Sequence, residues 1–505
     1  MQNQILNHSL LASVSGESPF VKYHKQLGNE VLQQAVTFNS YSNSSFSSTF
    51  FPPSSSTLID KRFKIRYTAA VTATGSLYSN SLERGALRSF PLNSVINTCT
   101  VSVNGTSTTS RPQDIKPCLE RFHNTPAWRS KFWGSFPSQT DYESEYARLQ
   151  AFRGIQNSTT AAQSRAEGNA GVTDSYTHIP NPNSPFCEES FGQYEPSRAM
   201  FPYSEGGKGT NSKTYVVTEP LLHPLCEDSE AQGMSNVREL SITLNFDSVL
   251  TKMWSSPEDV TGLSIDLSSA APQLLISYVQ PKQPEKIPLS LHLGYEDLQV
   301  RSTNVGNVDV NATQSVSMNN IVVSQVPSKM YVFARKKNSD KTYNDGDGYA
   351  CIENLNFTLG TRSGILSSAT QQQLYNMSVS NGLEMSWNQF SRRLGSIVCV
   401  DLAKDVGGFQ PGAVGNLSIS FTGTIRNNQI KDPGHQEITG TTANTIDYDL
   451  FLVLEQDGVF TVSPDNASLS LGLSQADMAE AQQACLLYTS PSPRDRTRSR
   501  MPSSA

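Results

Sequence analysis

The feature that most constrains this chain is a strict period-two alternation of apolar and hydroxyl or amide residues, repeated at distant points. In "LSITLNF" (240–246), Leu240, Ile242, Leu244 and Phe246 alternate with Ser241, Thr243 and Asn245. In "LSISFTGTI" (417–425), Leu417, Ile419 and Phe421 alternate with Ser418, Ser420 and Thr422. "FKIRYTAAVTA" (63–73) puts Phe63, Ile65, Tyr67, Ala69, Val71 and Ala73 on one face. Successive side chains of a strand point to opposite faces, so this pattern describes antiparallel strands with one face on a core and one face wet. Two further runs, "MYVFAR" (330–335) and "YDLFLVLE" (448–455), are nearly continuously apolar and read as central strands. The second runs into Asp457-Gly458 and "VFTV", which predicts a short hairpin there.

Helical signals are few. "SATQQQLYNMSVSNG" (368–382) predicts a helix, with Ser368 and Gln371 as a capping box and Asn381-Gly382 as its stop. Leu374 and Met377 are expected to point inward together. "PQDIKPCLERF" (112–122) is a second candidate, weakened by Pro117, and "SQADMAEAQQA" (474–484) a third. The order of elements recurs. "VINTCTVSVNG" precedes the 112–122 helix, then "TYVVTE" and the strand at 240–246. "YACIENLNFTLGT" precedes the 368–382 helix, then "SIVCVDL" and the strand at 417–425. The spacing from Val101 to Asp114 equals that from Phe357 to Thr370, 13 positions each. A repeated pattern without repeated sequence predicts two similar all-β domains meeting near 250–265. Between the first helix and Thr214 lies a long stretch without periodicity that carries Trp128 and Trp133. A loop of that length in a compact domain usually has a task, and the two tryptophans are either candidate interface anchors on an exposed tower or caps of the insertion's own small core, packed on its own sandwich.

The chain has 505 residues and a formal charge of −6, from 39 Lys+Arg against 45 Asp+Glu. Four arginines and one aspartate lie in the last 21 residues, and without them the balance is 35 against 44, or −9. An acidic body argues against general nucleic-acid binding, and no direct nucleic-acid site emerges. Cys99, Cys118, Cys187, Cys226, Cys351, Cys399 and Cys485 form no CxxC pair. They read as buried free thiols of a reducing compartment rather than as a zinc site or disulfide framework. The N-terminus lacks the basic region and apolar run of a secretion signal, and no apolar run is long enough to span a membrane.

A search for chemistry finds no catalytic, cofactor-binding or metal constellation. The seven histidines are isolated from one another and no HExxH is present. "EGGKGT" (205–210) departs from the phosphate-loop pattern and reads as a loop; "NDGDGY" (344–349) lacks the final calcium-loop glutamate and reads as a turn. "ARKKNSDK" (334–341) is either a phosphate-binding patch or, preferably, the charged end of a strand entering an exposed loop; Arg392-Arg393 reads likewise. Paired carboxylates brought together across strands would leave no linear motif.

The stretch from "VPSKMYVFARKKNSDKTYND" (326–345) through "IENLNFTLGTRSGILSSATQQQLYNMSVSNGL" and "MSWNQF" to "GGFQPGAVGNLSISFTGTI" (407–425) resembles the second jelly roll of double jelly-roll major capsid proteins. These occur in small eukaryotic DNA viruses and in Polinton- and adintovirus-like elements. "IDKRFKIRYTAAVTATG … LRSFPLNSVINTCTVSVNG" is similar, less specifically, to the first. The resemblance implies an all-β fold of two consecutive eight-stranded antiparallel jelly-roll sandwiches with a few short helices. The expected organisation is an N-terminal arm at 1–28, a first jelly roll at 29–255 with an insertion at 122–213, a second at 256–470, and a C-terminal helix at 471–484. It further implies a non-enzymatic virion protein whose homotrimers, pseudo-hexameric in outline, tile an icosahedral shell beside neighbouring capsomers and a minor capsid or penton protein. Assembly would take place in the host cytoplasm or nucleus. The alternative from another class is a secreted or surface β-sandwich protein that binds or cleaves glycans. Residues 485–505, "CLLYTSPSPRDRTRSRMPSSA", resemble a translated sequencing-library adapter, which implies that the natural C-terminus is not represented beyond about Ala484.

Overall fold

The structure, a computed structural model, describes residues 32–74, 86–88, 90–122, 204–205, 212–226, 233–255, 261–281, 284, 287, 290–309, 311–343, 349–383, 385–387, 390–391, 395–427 and 445–472. The expected N-terminal arm, most of the 122–213 insertion with Trp128 and Trp133, the C-terminal helix beyond 472, the 485–505 tail and Arg392-Arg393 lie outside the described residues.

Sixteen principal strands build two sandwiches, and short strands at Ser40–Tyr41, Leu58–Ile59, Ser204–Glu205 and Ser264–Asp266 add to the sheets of the first. In the first, β1 is Leu32–Thr37, β2 Ser45–Phe50, β3 Lys64–Thr72, β4 Ile96–Val103, β5 Thr106–Ser110, β6 Ser212–Pro220, β7 Leu240–Phe246 and β8 Gln273–Val279. In the second, β9 is Leu291–Val308, β10 Thr313–Gln325, β11 Lys329–Lys336, β12 Cys351–Leu359, β13 Arg362–Ile365, β14 Ile397–Asp401, β15 Val414–Arg426 and β16 Ile446–Val462. A last strand, β17 (Ala467–Leu471), pairs with β16. The first sandwich has sheet orders β1-β8-β3-β6 and β2-β7-β4-β5; the second has β9-β16-β11-β14 and β10-β15-β12-β13. Each strand of the second is eight places beyond its counterpart in the first, and both follow the jelly-roll order. Helix α1 (Pro112–Phe122) follows β5, and helix α2 (Gln371–Ser380) follows β13 at the equivalent place.

The alternation does what its period dictates. Leu240, Ile242, Leu244 and Phe246 face the first core, with Phe63, Ile65, Tyr67, Ala69, Val71 and Ala73 across from them. Leu417, Ile419 and Phe421 face the second, where Phe421 packs on Phe357 with ring centroids 5.3 Å apart. Removing each large apolar side chain from water is worth roughly 1.5–3 kcal/mol, so one residue of register slip would invert the sign for a whole strand. The turn from β4 to β5 uses Asn104 (φ 48°) and Gly105 (φ 85°), both left-handed, as a tight two-residue hairpin requires.

Four expectations differ from what is found. The strand Gln273–Val279, which fell within the range assigned to the second domain, pairs with β1 and β3 and buries Leu274, Ile276 and Tyr278 in the first core. The chain therefore changes sandwich between Val279 and Leu291; β8 was misplaced because its partners lie hundreds of residues upstream. Asp457-Gly458 is no hairpin: β16 continues through it to Val462. Gly458 is needed there because a Cβ would lie 2.7 Å from Leu471 Cδ2 and 2.9 Å from the Ser470 carbonyl oxygen, so the glycine admits β17 rather than turning the chain. The cap of α2 is Thr370 with Gln373, two residues beyond the expected pair. Thr370 Oγ1 accepts from the Gln373 amide, and Gln373 Oε1 accepts from the Thr370 amide at 2.8 Å. Within α2, Leu374 is buried and Met377 partly buried against the second core. Finally, α1 belongs by sequence to the first half, but Ile115, Cys118, Leu119 and Phe122 lie in the second core.

Candidate functional site: the interlocked junction

The junction between the sandwiches is built by exchange. Proline is favoured in the first turn of a helix, and Pro112 opens α1. Pro117 is more demanding, since it has no N–H to donate to the carbonyl of Gln113. That carbonyl is supplied from the other sandwich: Arg335 Nη1 of β11 donates to Gln113 O at 2.8 Å. Its Nη2 pairs with Asp114, which also holds Arg111 at 2.7 Å, and the guanidinium carbon lies 4.5 Å from the Phe451 ring centroid. One arginine thus repairs the defect that the internal proline makes, neutralises a buried carboxylate and covers a core aromatic. At the far end of α1, the Arg121 guanidinium lies 4.9 Å from the Tyr349 ring centroid, and Phe122 meets Tyr331 at 5.1 Å between centroids.

The second contribution crosses the other way. Leu293 and Tyr295 of β9, Phe460 and Val462 of β16 and Ala467 of β17 lie in the first core. Thr106 Oγ1 donates to Ala467 O, and Asn104 Nδ2 donates to Asn236 O at 2.8 Å and to Ser463 O at 3.0 Å.

A third seam uses the basic run "ARKKNSDK". Beyond Arg335, Lys337 pairs with Asp447 at 3.4 Å, and Asn338 Nδ2 donates to Asp247 Oδ2 at 2.8 Å. Asp247 also takes Lys252 Nζ at 2.7 Å and the Val249 amide at 3.0 Å. Burial opposes its ionisation, but the hydrogen bonds from Lys252, Val249 and Asn338 and the Lys252 charge outweigh it and hold its pKa below the ordinary carboxylate value. Arg88 Nε donates to Trp254 O at 3.1 Å and its Nη2 to Thr342 O at 3.3 Å. Within the run, Arg335 and Asn338 therefore fasten the second sandwich to the first, while Lys337 pairs inside the second.

Buried polar groups stiffen each side. In the first sandwich Glu219 accepts from Tyr67 Oη, from the amides of Leu92 (2.8 Å) and Asn93 (3.2 Å), and from Asn93 Nδ2 (2.9 Å). Burial raises its pKa above the ordinary carboxylate value despite these donors. In the second, Glu455 accepts from Tyr331 Oη at 2.6 Å and Lys329 Nζ at 2.8 Å. His223 sits in the loop after β6, between Leu222 of the second core and Leu221 and Leu225 of the first. Its Nδ1 accepts from the Leu225 amide at 3.1 Å, so the proton is on Nε2, 3.3 Å from Thr108 O. Burial pushes its pKa down to about 4, against a smaller opposing effect of the Thr108 hydrogen bond. Nothing in the sequence around Glu219 or His223 marked them; apart from the Leu225 amide, their partners, Tyr67, Leu92, Asn93 and Thr108, lie far away along the chain.

Among the described residues no three His, Cys, Asp or Glu are grouped to hold a metal ion. The five described cysteines are buried and free. Burial raises the thiol pKa of Cys99, Cys118, Cys351 and Cys399, which makes them poor nucleophiles. No helix among the described residues is long and apolar enough to cross a membrane.

Two jelly-roll sandwiches in series, fastened by exchange, define the class: a double jelly-roll protein. Residues 21–287 match the family model of the Sputnik virophage major capsid protein first domain, and residues 299–394 match that of the major capsid protein V20 C-terminal domain. The chain belongs to the Sputnik virophage major capsid protein family and is a major capsid subunit of the virion. It is 26% identical over 493 residues to capsid protein V20 of Sputnik virophage, covering 88% of this chain and 76% of that one. Its fold is similar to the Sputnik virophage structure at 3.5 Å (TM-score 0.67, 23% identity, 89% of each chain). It is also similar to the mavirus major capsid protein (TM-score 0.60, 16% identity, 91% of this chain and 92% of that one). The two family matches divide between 287 and 299, close to where the chain changes sandwich.

Proposed function

We propose that three copies of this chain close into a pseudo-hexameric capsomer, and that such capsomers tile an icosahedral shell. The observation that carries this reading is the internal repetition: one chain presents two sandwiches of identical strand order, so three chains present six similar lobes. A closed threefold ring is the symmetric solution for a head-to-tail contact. The role is structural rather than enzymatic. Neighbouring capsomers and a minor capsid or penton protein are the partners, and assembly takes place in the host cytoplasm or nucleus. The 122–213 insertion is a contact element of the capsomer, with Trp128 and Trp133 as its anchors, because large aromatics carry much of the energy of interfaces. The domain scheme, with an arm at 1–28, a C-terminal helix up to 484 and an adapter-derived tail at 485–505, remains part of this reading, with β8 reassigned to the first sandwich and the helix starting beyond β17, since Leu471 is in that strand.

Light scattering of a chain truncated after Ala484 tests the proposal. A trimer is the expected mass. A stable monomer at micromolar concentration and physiological salt would sink it and restore the glycan-binding alternative.

A further inference from the structure

At the end of the second sandwich where β10 leads into β11, one buried polar group is only half satisfied. Gln325, the last residue of β10, is 1% exposed. Its Nε2 donates to the Asp457 carbonyl oxygen at 2.7 Å. That bond fixes the orientation of the amide, because a flipped amide would set two acceptor oxygens against each other. Its Oε1 is left buried and without a donor. A buried acceptor of this kind costs stability until an N–H or O–H reaches it.

Two apolar side chains stand exposed beside it. Val414, the register partner of Gln325 across β10 and β15, is 63% exposed, and Leu471, the last residue of β17, is 38% exposed. Gly472 brings the chain onto the same spot. A Cβ there would lie 2.9 Å from Val414 Cγ2 and 3.5 Å from Gln325 Oε1, and its φ of 80° is left-handed, so a glycine is needed for the chain to pass this close and turn. The chain leaves the described residues at this point, within reach of the unpartnered oxygen.

The sequence that follows has the chemistry the place lacks. "LSQADM" (473–478) is written as a helix N-terminus: Ser474 at the N-cap, Asp477 three residues on for a capping box, and Leu473 and Met478 at the two positions of a hydrophobic staple. A staple joins its two side chains into one apolar knob at the entry to the helix. We propose that residues 473–484 fold back on the site formed by Gln325, Val414 and Leu471, with Leu473 and Met478 over the two exposed apolar side chains and a backbone N–H of the entering turn donating to Gln325 Oε1. The segment begins one residue from the site, so closing it there costs little chain entropy. The inference takes the C-terminal helix from the reading above and adds the surface on which it lies; it does not depend on the capsomer.

Hydrogen exchange tests it, comparing the chain truncated after Gly472 with the chain truncated after Ala484. The amides to follow are those that close the turn beside the site: Val326, which donates to the Ala413 carbonyl, and Gly412, which donates to the Val326 carbonyl. Removing 473–484 should speed their exchange roughly 5–30-fold, while the amides of β7 in the first core keep their rates. Met478→Asp in the longer chain should give the same acceleration without any truncation. Val322→Asp, at an exposed position elsewhere on the same sheet, should leave the rates as they are. Unchanged rates at Val326 and Gly412 in both the shorter chain and Met478→Asp would overturn the docking. An acceleration seen only at concentrations where the chain is trimeric would assign the cover to a neighbouring copy and overturn it as well. The same acceleration in a monomeric chain would uphold this inference while removing the capsomer reading.

Discussion

The two sandwiches share one strand order and differ in how many faces of the corresponding sheet are covered. In the first, β3 and β6 alternate buried and partly exposed residues. In the second, β11 and β14 are buried almost throughout, because α1 and α2 lie over them. The difference shows that burial pattern reports a strand's neighbours rather than its place in a topology. Equivalent strands of one fold can be written as alternating "KIRYTAAVT" or as continuous "KMYVFARK". A covered sheet also needs its polar termini satisfied, which is why Arg335 is a hydrogen-bonded, ion-paired core residue while Arg66 on the bare counterpart β3 is exposed.

The sharpest way to break this comparison is to remove that arginine. Arg335→Ala leaves the Asp114 carboxylate without its buried partner and the Gln113 carbonyl without a donor. Loss of one member of a buried pair costs about 3–5 kcal/mol, to be read from denaturant midpoints. Arg66→Ala, on the bare sheet, should change stability by less than about 0.5 kcal/mol. Equal effects would mean that the cover over β11 contributes nothing.

His223 supplies the next effect, on pH dependence. Its folded pKa, about 4, lies below the ordinary 6.5. On acidification the unfolded chain therefore takes up this proton first, and stability falls between about 6.5 and 4. The full shift corresponds to roughly 3 kcal/mol. His223→Gln should flatten that part of the stability-against-pH curve. Asp297 and Asp457 act in the opposite sense: burial raises both above the ordinary value, so stability rises as they protonate on acidification. An unchanged slope in His223→Gln would show that the junction does not exclude the imidazolium.

The smallest effect separates the two helices. α2 carries its own capping box, whereas the internal carbonyl of α1 that lacks a helical donor is served from the other sandwich. Thr370→Ala should cost about 1 kcal/mol and Ser368→Ala nothing measurable. The reverse ranking would restore the cap expected from the sequence.

Much of the fold was legible because strand alternation is local. Leu240 to Phe246 and Leu417 to Phe421 declare their faces within seven residues or fewer, and Pro112–Phe122 coincides with its expected helix despite Pro117. What escaped was decided at long range. β8 lies in the first sandwich because Leu275 pairs with Ala35 and Lys64, and Gly458 marks a close approach by β17. The continuous run Met330–Arg335 announced cover on two sides but not that α1 provides it. Glu219 and His223 carried no signal, since no motif anticipates a carboxylate served by Tyr67 and Asn93 or an imidazole lodged between two cores.

The crossing of β16 and β17 into the first core has a consequence for the chain as it is made. The core begun at Phe38 and Phe46 is finished only by Phe460, Val462 and Ala467. The helix that finishes the second core, by contrast, is synthesised long before the strands it will join. Neither half can reach its final state while the other is still on the ribosome, so folding waits for nearly the whole translation product. During that wait apolar strands stay open to the wrong partners, a situation in which long-range β topologies fold slowly and depend on chaperones.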